Sequence, residues 1–420
     1  MKILRVHIIF CLVSCITLYP SYAQYFDSTE YGMIVHPHPY YSGNVKEIQV
    51  HVVSPGIIRI VGLPANTLRE DKSLVVTNRG ISNEKWMVFS NGGFALLSTS
   101  KITVAVNLEN GMVSFAGITG KVILSEKSMG RKLEPQVFEG EPLYNISQVF
   151  ETMPGDAWYG LGQHQDGIMN YKTYQVQLFQ NNTEVAVPFL VSKKNYGILW
   201  DNYSITRVGD VRAYQPLTAL KLFSKNGEEG WLNASYSNDK NHPGEIVLQR
   251  AESVINYEFL GDSRLFLPKE FKPGNGLAVW EGSLASSIEG IHKLRLTYAG
   301  YLKLWIDGVM VLDRWRQSWM PGSAILDLDM KKDTKRSIKM EWIPYGDESY
   351  LSLKCLAPLN EEEINSFSFS SEAGKQLDYY FIYGDNMDSV ISGYRKLTGK
   401  ATMLPKWAFG KWQSRERYKT

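Results

Sequence analysis

Along most of the chain, hydrophobic side chains recur at every second position in short runs, the period of a strand with one face buried. Ile48-Gln49-Val50-His51-Val52 and Ile57-Ile58-Arg59-Ile60-Val61 are β-branched runs, and residues 101–108 meet residues 112–115 across Asn110-Gly111, a pair that favours a hairpin turn. Helical periodicity is almost absent between about 45 and 222. Many short strands punctuated by Gly, Asn and Pro predict an antiparallel β-sandwich whose long loops display any binding groups. From about 230 to 358 the composition shifts. Six of the 11 tryptophans fall there (Trp231, Trp280, Trp305, Trp315, Trp319 and Trp342), and Leu302-Lys303-Leu304-Trp305-Ile306 and Val309-Met310-Val311-Leu312 flank the turn pair Asp307-Gly308. This region is expected to form a second β-domain. A strand over 377–383 then leads to the first amphipathic helix, capped by Asp385, with Met387, Val390, Ile391, Tyr394 and Leu397 on one face and Gly399 as its stop. After Pro405, Trp407-Ala408-Phe409-Gly410-Lys411-Trp412 reads as the start of another strand.

Composition narrows the class. The chain has 420 residues, 44% hydrophobic and 21% charged, which is the make-up of a globular protein with several cores. Lys+Arg number 45 and Asp+Glu 43, for a net charge of +2. Both excess charges are Lys2 and Arg5, so the rest is neutral and has no general field to draw in nucleic acid. Residues 1–23 join those two charges to an apolar stretch over 8–18 and close on Ser21-Tyr22-Ala23, the pattern of a cleaved secretion signal. Leu12-Val13-Ser14-Cys15 offers a second reading as a lipoprotein signal. Cys11 and Cys15 lie in that leader and Cys355 stands alone, so the mature chain has no internal disulfide. No later segment has the ~20 apolar residues that cross a bilayer.

No metal or cofactor motif stands out. His164, His242 and His292 are far apart, and His36-Pro37-His38-Pro39 lacks nearby Asp or Cys. Neither a phosphate loop nor a serine-hydrolase elbow is present. Asp166, Asp201 and Asp313 read as turn residues or local hydrogen-bond partners, since an isolated carboxylate says nothing of the two-carboxylate geometry that glycosyl transfer needs.

The informative motifs are Tyr159-Gly160-Leu161-Gly162-Gln163-His164-Gln165, Asn170-Tyr171, Leu178-Phe179-Gln180-Asn181-Asn182-Thr183, Pro188-Phe189 and Tyr196-Gly197-Ile198-Leu199-Trp200-Asp201-Asn202. In this order and spacing they resemble the amino-terminal, galactose-mutarotase-like sandwich of glycoside hydrolase family 31, in particular its α-xylosidase and α-glucosidase-like members. Residues 380–394 resemble that family's returning strand and linker helix, and residues 404–415 resemble entry into the first strand of its (β/α)8 barrel. Val279-Trp280-Glu281-Gly282, residues 298–308, Trp315 and Lys339-Met340-Glu341-Trp342-Ile343-Pro344 resemble an inserted protective-antigen-type (PA-14) domain. The implied divisions are 1–23 (signal), 24–229 (sandwich), 230–360 (insert), 361–400 (returning strand and linker helix) and 401–420 (start of the barrel).

The resemblance implies a mainly β chain from a secreted, retaining α-glycosidase acting on xyloglucan fragments or other α-glycosides. The catalytic Asp pair of such an enzyme lies deeper in the barrel, so the chain is expected to break off before it and to be inactive alone. Expected sugar contacts are Gln163, Asn170 and Tyr171 on a loop at the barrel mouth, Trp412, Arg415 and Tyr418 at the first barrel strand, and Trp315 and Trp319 on the insert, with Tyr345, Arg316 and Asp313 nearby. Catalytic residues, metal and cofactor are expected to be none. Lectin-like relatives of the insert hold calcium with adjacent Asp residues where this chain has Tyr298-Ala299-Gly300-Tyr301, which implies stacking without calcium. The rival readings are a stand-alone carbohydrate-binding protein and a structural wall protein. Oligomeric state is left open.

Overall fold

The computed structural model describes residues 25–65, 72–77, 84–180, 184–257, 267–346 and 348–411. The leader with Cys15, and Trp412, Arg415 and Tyr418, lie outside the described residues.

Strand alternation builds a first antiparallel sandwich. Among the described residues, one sheet has eight strands, from Tyr25–Thr29 at one edge to Trp158–Gln163 at the other, and the facing sheet has nine. In Ile102–Asn107 every second residue is buried, and Phe115 from this sheet stacks on Phe381 of the other at 3.9 Å between ring centroids. Each such side chain taken fully out of water contributes roughly 1.5–3 kcal/mol. The expected hairpin after Ile102–Asn107 forms as a four-residue loop, closed by the Asn107 amide on the Met112 carbonyl at 2.9 Å, with Gly111 at φ +68°.

Leu377–Tyr383 is buried on both faces because both are covered, and its one carboxylate, Asp378, is met by Arg59. Tyr379 and Phe381 face the sandwich core, whereas Tyr380 and Ile382 pack with Val390 and Leu397 of the helix Met387–Thr398. Phe189 and Tyr394 stack across that contact at 4.3 Å. The cap of this helix is Asn386, not Asp385: the Asn386 Oδ1 accepts from the Ser389 amide at 2.8 Å, while the Asp385 carboxylate is exposed, 3.8 Å from Lys101. Asn386 holds the position from which a side chain reaches the third amide of the first turn.

A second sandwich occupies the middle of the chain. It draws its first strands from Gln215–Pro216 and Lys221–Phe223, which pair with Leu351–Leu356 and Leu277–Ala285. Trp280, Trp342, Tyr236 and Tyr298 fill its core. Asp307 and Gly308 form the expected two-residue turn, both with positive φ (50° and 76°). The chain leaves the first sandwich after Thr206–Gly209 and returns on Ser366–Gly374, and those two strands are neighbours in one sheet. The strand expected from Trp407 is not formed: Lys406–Phe409 is a single 3-10 turn after Pro405, with the Ala408 amide on the Pro405 carbonyl. Proline presets the turn, and no strand edge lies alongside among the described residues.

Candidate functional site

The site is built by a bend that only glycine permits. In Trp158–Gln163, Gly160, Leu161 and Gly162 have φ of +95°, +63° and +102°, and the pairing to Val185–Ser192 jumps from Gly160↔Leu190 to Gly162↔Ala186. A Cβ at Gly162 would stand 1.8 Å from the Val185 carbonyl oxygen, and one at Gly160 2.5 Å from that of Phe189. Leu161 accepts the left-handed conformation because its side chain is anchored in the core. Beyond the bend, His164, Gln165 and Asp166 leave the sheet and cross to the second sandwich.

Local hydrogen bonds fix this crossing. His164 Nε2 sits 2.9 Å from the Leu161 carbonyl and therefore carries its proton there, which leaves Nδ1 facing Glu184 at 3.9 Å. The Asp166 Oδ1 accepts from the Ile168 amide at 2.9 Å. The exposed Asn170 lends its Oδ1 to the amides of Trp158 and Lys172, each at 3.1 Å. Tyr171 is buried, meets the His164 ring edge-on, and has its phenol pushed up to about 12, by burial first and then by Asp166 and Glu184. Gln163 is exposed at the strand end, whereas Tyr171 belongs to the packing beneath the loop.

The second sandwich supplies the other wall. Arg316, the last residue of Val309–Arg316, donates from Nη2 to the Gln165 Oε1 at 2.5 Å. Below it lies a cleft of about 160 Å³ with Arg295 and Arg316 on the insert side and His164, Asp166 and Glu184 on the sandwich side. The Arg295 guanidinium lies over the Tyr214 ring at 5.4 Å. The Tyr214 hydroxyl is sealed from solvent with no hydrogen-bond partner among the described residues, and burial pushes it up to about 12 although Arg295 pulls the other way. A clamp holds the walls in register: Asp327 accepts from Tyr174 Oη at 2.7 Å and from Lys293 Nζ at 2.8 Å, and the lysine ammonium sits 3.5 Å from the Tyr174 ring centroid.

The tryptophans divide by position. Trp280 and Trp342 are core, whereas Trp315 is 51% exposed and Trp319 67%. Tyr345, 46% exposed, lies 5.8 Å from Trp315, and Tyr301 pairs with Trp315 across the strands. Trp315, Tyr301 and Tyr345 form an open rim beside Arg316, and Trp319 stands exposed in the turn before Gly322–Met330. The structure thus brings Gln165 and Arg316 together and leaves Trp315 and Trp319 uncovered. Glu184, Tyr214 and Arg295 escaped sequence reasoning, because they come from three separate stretches of chain and none sits in a motif. The Ala299 carbonyl accepts from Trp342 Nε1 at 2.7 Å and from Ser349 Oγ at 3.1 Å. Among the described residues no three His, Cys, Asp or Glu side chains are grouped to share a metal.

Residues 47–208 match the family model described as the glycosyl hydrolase 31 N-terminal galactose mutarotase-like domain. The chain is similar to an alpha-xylosidase of Saccharolobus solfataricus, 24% identical over 391 residues that cover 90% of this chain and 32% of that protein. It is also similar to an uncharacterized family 31 glucosidase of Pseudescherichia vulneris, 30% identical over 130 residues, 26% of this chain and 24% of that one. Among solved structures, the GH31 alpha-xylosidase of Xanthomonas citri superposes with a TM-score of 0.81 at 39% identity, over 93% of this chain and 42% of its own. The chain therefore spans about a third of the first relative and less than half of the solved one.

Proposed function

We infer, for a chain that carries the amino-terminal mutarotase-like domain of glycoside hydrolase family 31, that it forms the substrate-facing, non-catalytic part of an exported retaining α-glycosidase of the α-xylosidase kind. The observation that carries this reading is the likeness to the Xanthomonas citri alpha-xylosidase across nearly the whole chain, second sandwich included. A retaining glycosidase places two carboxyl groups about 5–5.5 Å apart, one as nucleophile and one as acid and then base. The cleft carboxylates hold other posts, Asp166 on its own loop and Glu184 against His164. The catalytic pair is accordingly assigned to no residue of this chain, and turnover by the chain alone is expected to be nil.

What the chain contributes is position. The loop from Gln163 to Asn170 and the rim of Trp315 and Tyr345, together with the exposed Trp319, would take up a branched oligosaccharide such as a xyloglucan fragment, the rings against the apolar faces of pyranoses. We read the second sandwich as a PA-14-type domain that works by stacking without calcium, a reading supported by the commitment of the Ala299 carbonyl to protein donors. Export is supported by the pattern of residues 1–23. The test is to incubate the purified chain with an aryl α-xyloside and with xyloglucan oligosaccharides, and to titrate the latter by calorimetry. Oligosaccharide binding without turnover is expected. Turnover lost on mutating a carboxylate of this chain, or no oligosaccharide binding at all, would refute the reading.

A further inference from the structure

We propose that the cleft between the two sandwiches is a binding site for one neutral sugar unit, held by hydroxyl groups that bridge the Arg295–Arg316 wall and the Asp166–Glu184 wall. The proposal rests on the reading that this chain handles saccharides, but not on the exposed aromatic rim. Its basis is an unusual charge arrangement. Two guanidinium groups and two carboxylates face one small volume, yet among the described residues no ion pair joins them. Among the described residues Arg295 has no carboxylate partner and is held instead over the Tyr214 ring. Arg316 donates to the neutral amide oxygen of Gln165. Asp166 spends one oxygen on the Ile168 amide, and the Glu184 Oε2 lies 3.9 Å from the His164 Nδ1.

Opposite charges that share a cleft without meeting require dipolar groups between them. A hydroxyl donates and accepts at once, so a polyol satisfies donors on one wall and acceptors on the other. An anionic ligand would gain from the arginines and lose to the carboxylates, and a cation the reverse, so the arrangement selects a neutral molecule. Val176 and Met320 add an apolar lining suited to the C–H face of a sugar ring. The volume of about 160 Å³ lies well below the ~300 Å³ at which pockets for larger organic ligands begin, so one ring fits and a chain does not.

The experiment measures binding of xylose, glucose and glucuronate to the intact chain by saturation-transfer NMR and calorimetry, with R295M and E184Q as variants and their melting points as fold controls. Expected are binding of both neutral sugars, weaker binding of glucuronate, and a loss of at least about tenfold in neutral-sugar affinity in each variant, roughly 1.4 kcal/mol. In E184Q, glucuronate should gain. If an oligosaccharide binds but no monosaccharide does, or if the monosaccharide binds both folded variants as it binds the parent, the cleft proposal fails and the functional reading stands. If glucuronate binds tenfold tighter than glucose, the proposed selection for neutral ligands is wrong. Absence of binding by sugars of every size would sink both.

Discussion

Replacing Gly162 with alanine should unfold the mouth of the first sandwich while leaving the second intact. The added Cβ would lie 1.8 Å from the Val185 carbonyl oxygen, and real Cβ atoms essentially never come within 3.0 Å, so the strands must part by at least 3.0 − 1.8 = 1.2 Å. That separation breaks the edge pairing of Gly162 with Ala186 and of Gln163 with Val185. Two hydrogen bonds at about 0.5–1.5 kcal/mol each, together with about 1–2 kcal/mol for an L-residue held at positive φ, give a cost of about 2–5 kcal/mol. Domain stabilities run to about 5–15 kcal/mol, so the first sandwich should melt well below its parent temperature or fray locally. Calorimetry should show one transition displaced. Fluorescence from the buried Trp280 and Trp342 should report an unchanged second sandwich, and hydrogen exchange should accelerate over residues 159–166. Because His164, Gln165 and Asp166 hang from this bend, sugar binding should fall with it. A G162A chain with parental melting and parental exchange would falsify the claim that the bend depends on glycine.

Four further outcomes are expected. Tyr214→Phe removes a buried hydroxyl that has no partner among the described residues, so stability by denaturant titration should stay level or rise by up to about 1 kcal/mol; a loss larger than that would reveal a partner for the hydroxyl. His292 is buried on Ser286 and the Gly290 carbonyl, and burial holds its pKa below the ordinary value of about 6.5. The unfolded chain therefore binds the proton more readily, and the second sandwich should lose stability as pH falls below about 6.5, a slope that His292→Gln should flatten. Asp327→Asn should weaken the clamp to Tyr174 and Lys293 and raise protease sensitivity at the junction, with little change in either sandwich's own melting. In a full-length enzyme carrying this architecture, removing residues 213–358 should reduce activity on long branched oligosaccharides far more than on a small aryl glycoside; equal losses would assign the second sandwich a folding role only.

Much of the fold was legible because a half-buried strand writes itself as alternation, and Asp307-Gly308 states its turn in two letters. The helix Met387–Thr398 was equally plain, though its cap was placed one residue early because Asp385 and Asn386 are adjacent and both suit the role. The strand expected from Trp407 failed for another reason: β-propensity describes what a segment does beside a partner edge, and Lys406–Phe409 has none among the described residues. At the site, Tyr159-Gly160-Leu161-Gly162 was legible as part of a family motif, whereas the close approach of Gly160 and Gly162 to the facing carbonyls emerged only with the fold. Of the opposite wall only Arg316 was foreseen, beside the exposed tryptophans; Tyr214 and Arg295 join it through tertiary packing alone. Tryptophan count was a poor guide to exposure, since Trp342 and Trp315 both come from strands of mixed polarity and the face each occupies in the sheet decides which meets water.

The placement of the returning strands also governs the order in which the protein can be made. Leu377–Tyr383 lies between Ile57–Pro64 and Tyr196–Trp200 in one sheet, and Ser366–Gly374 lies between Glu141–Thr152 and Thr206–Gly209 in the other. Each sheet therefore lacks a central strand until the stretch from Ser366 to Tyr383 has been made, whereas the second sandwich has its last strand, Leu351–Leu356, before either of them. Contacts of such high sequence separation form late and slowly. The second sandwich is thus expected to be able to close before its host and to bring the two halves of the host within reach, and a pause in synthesis before residue 366 would leave the half-built first sandwich with its aromatic interior open to aggregation.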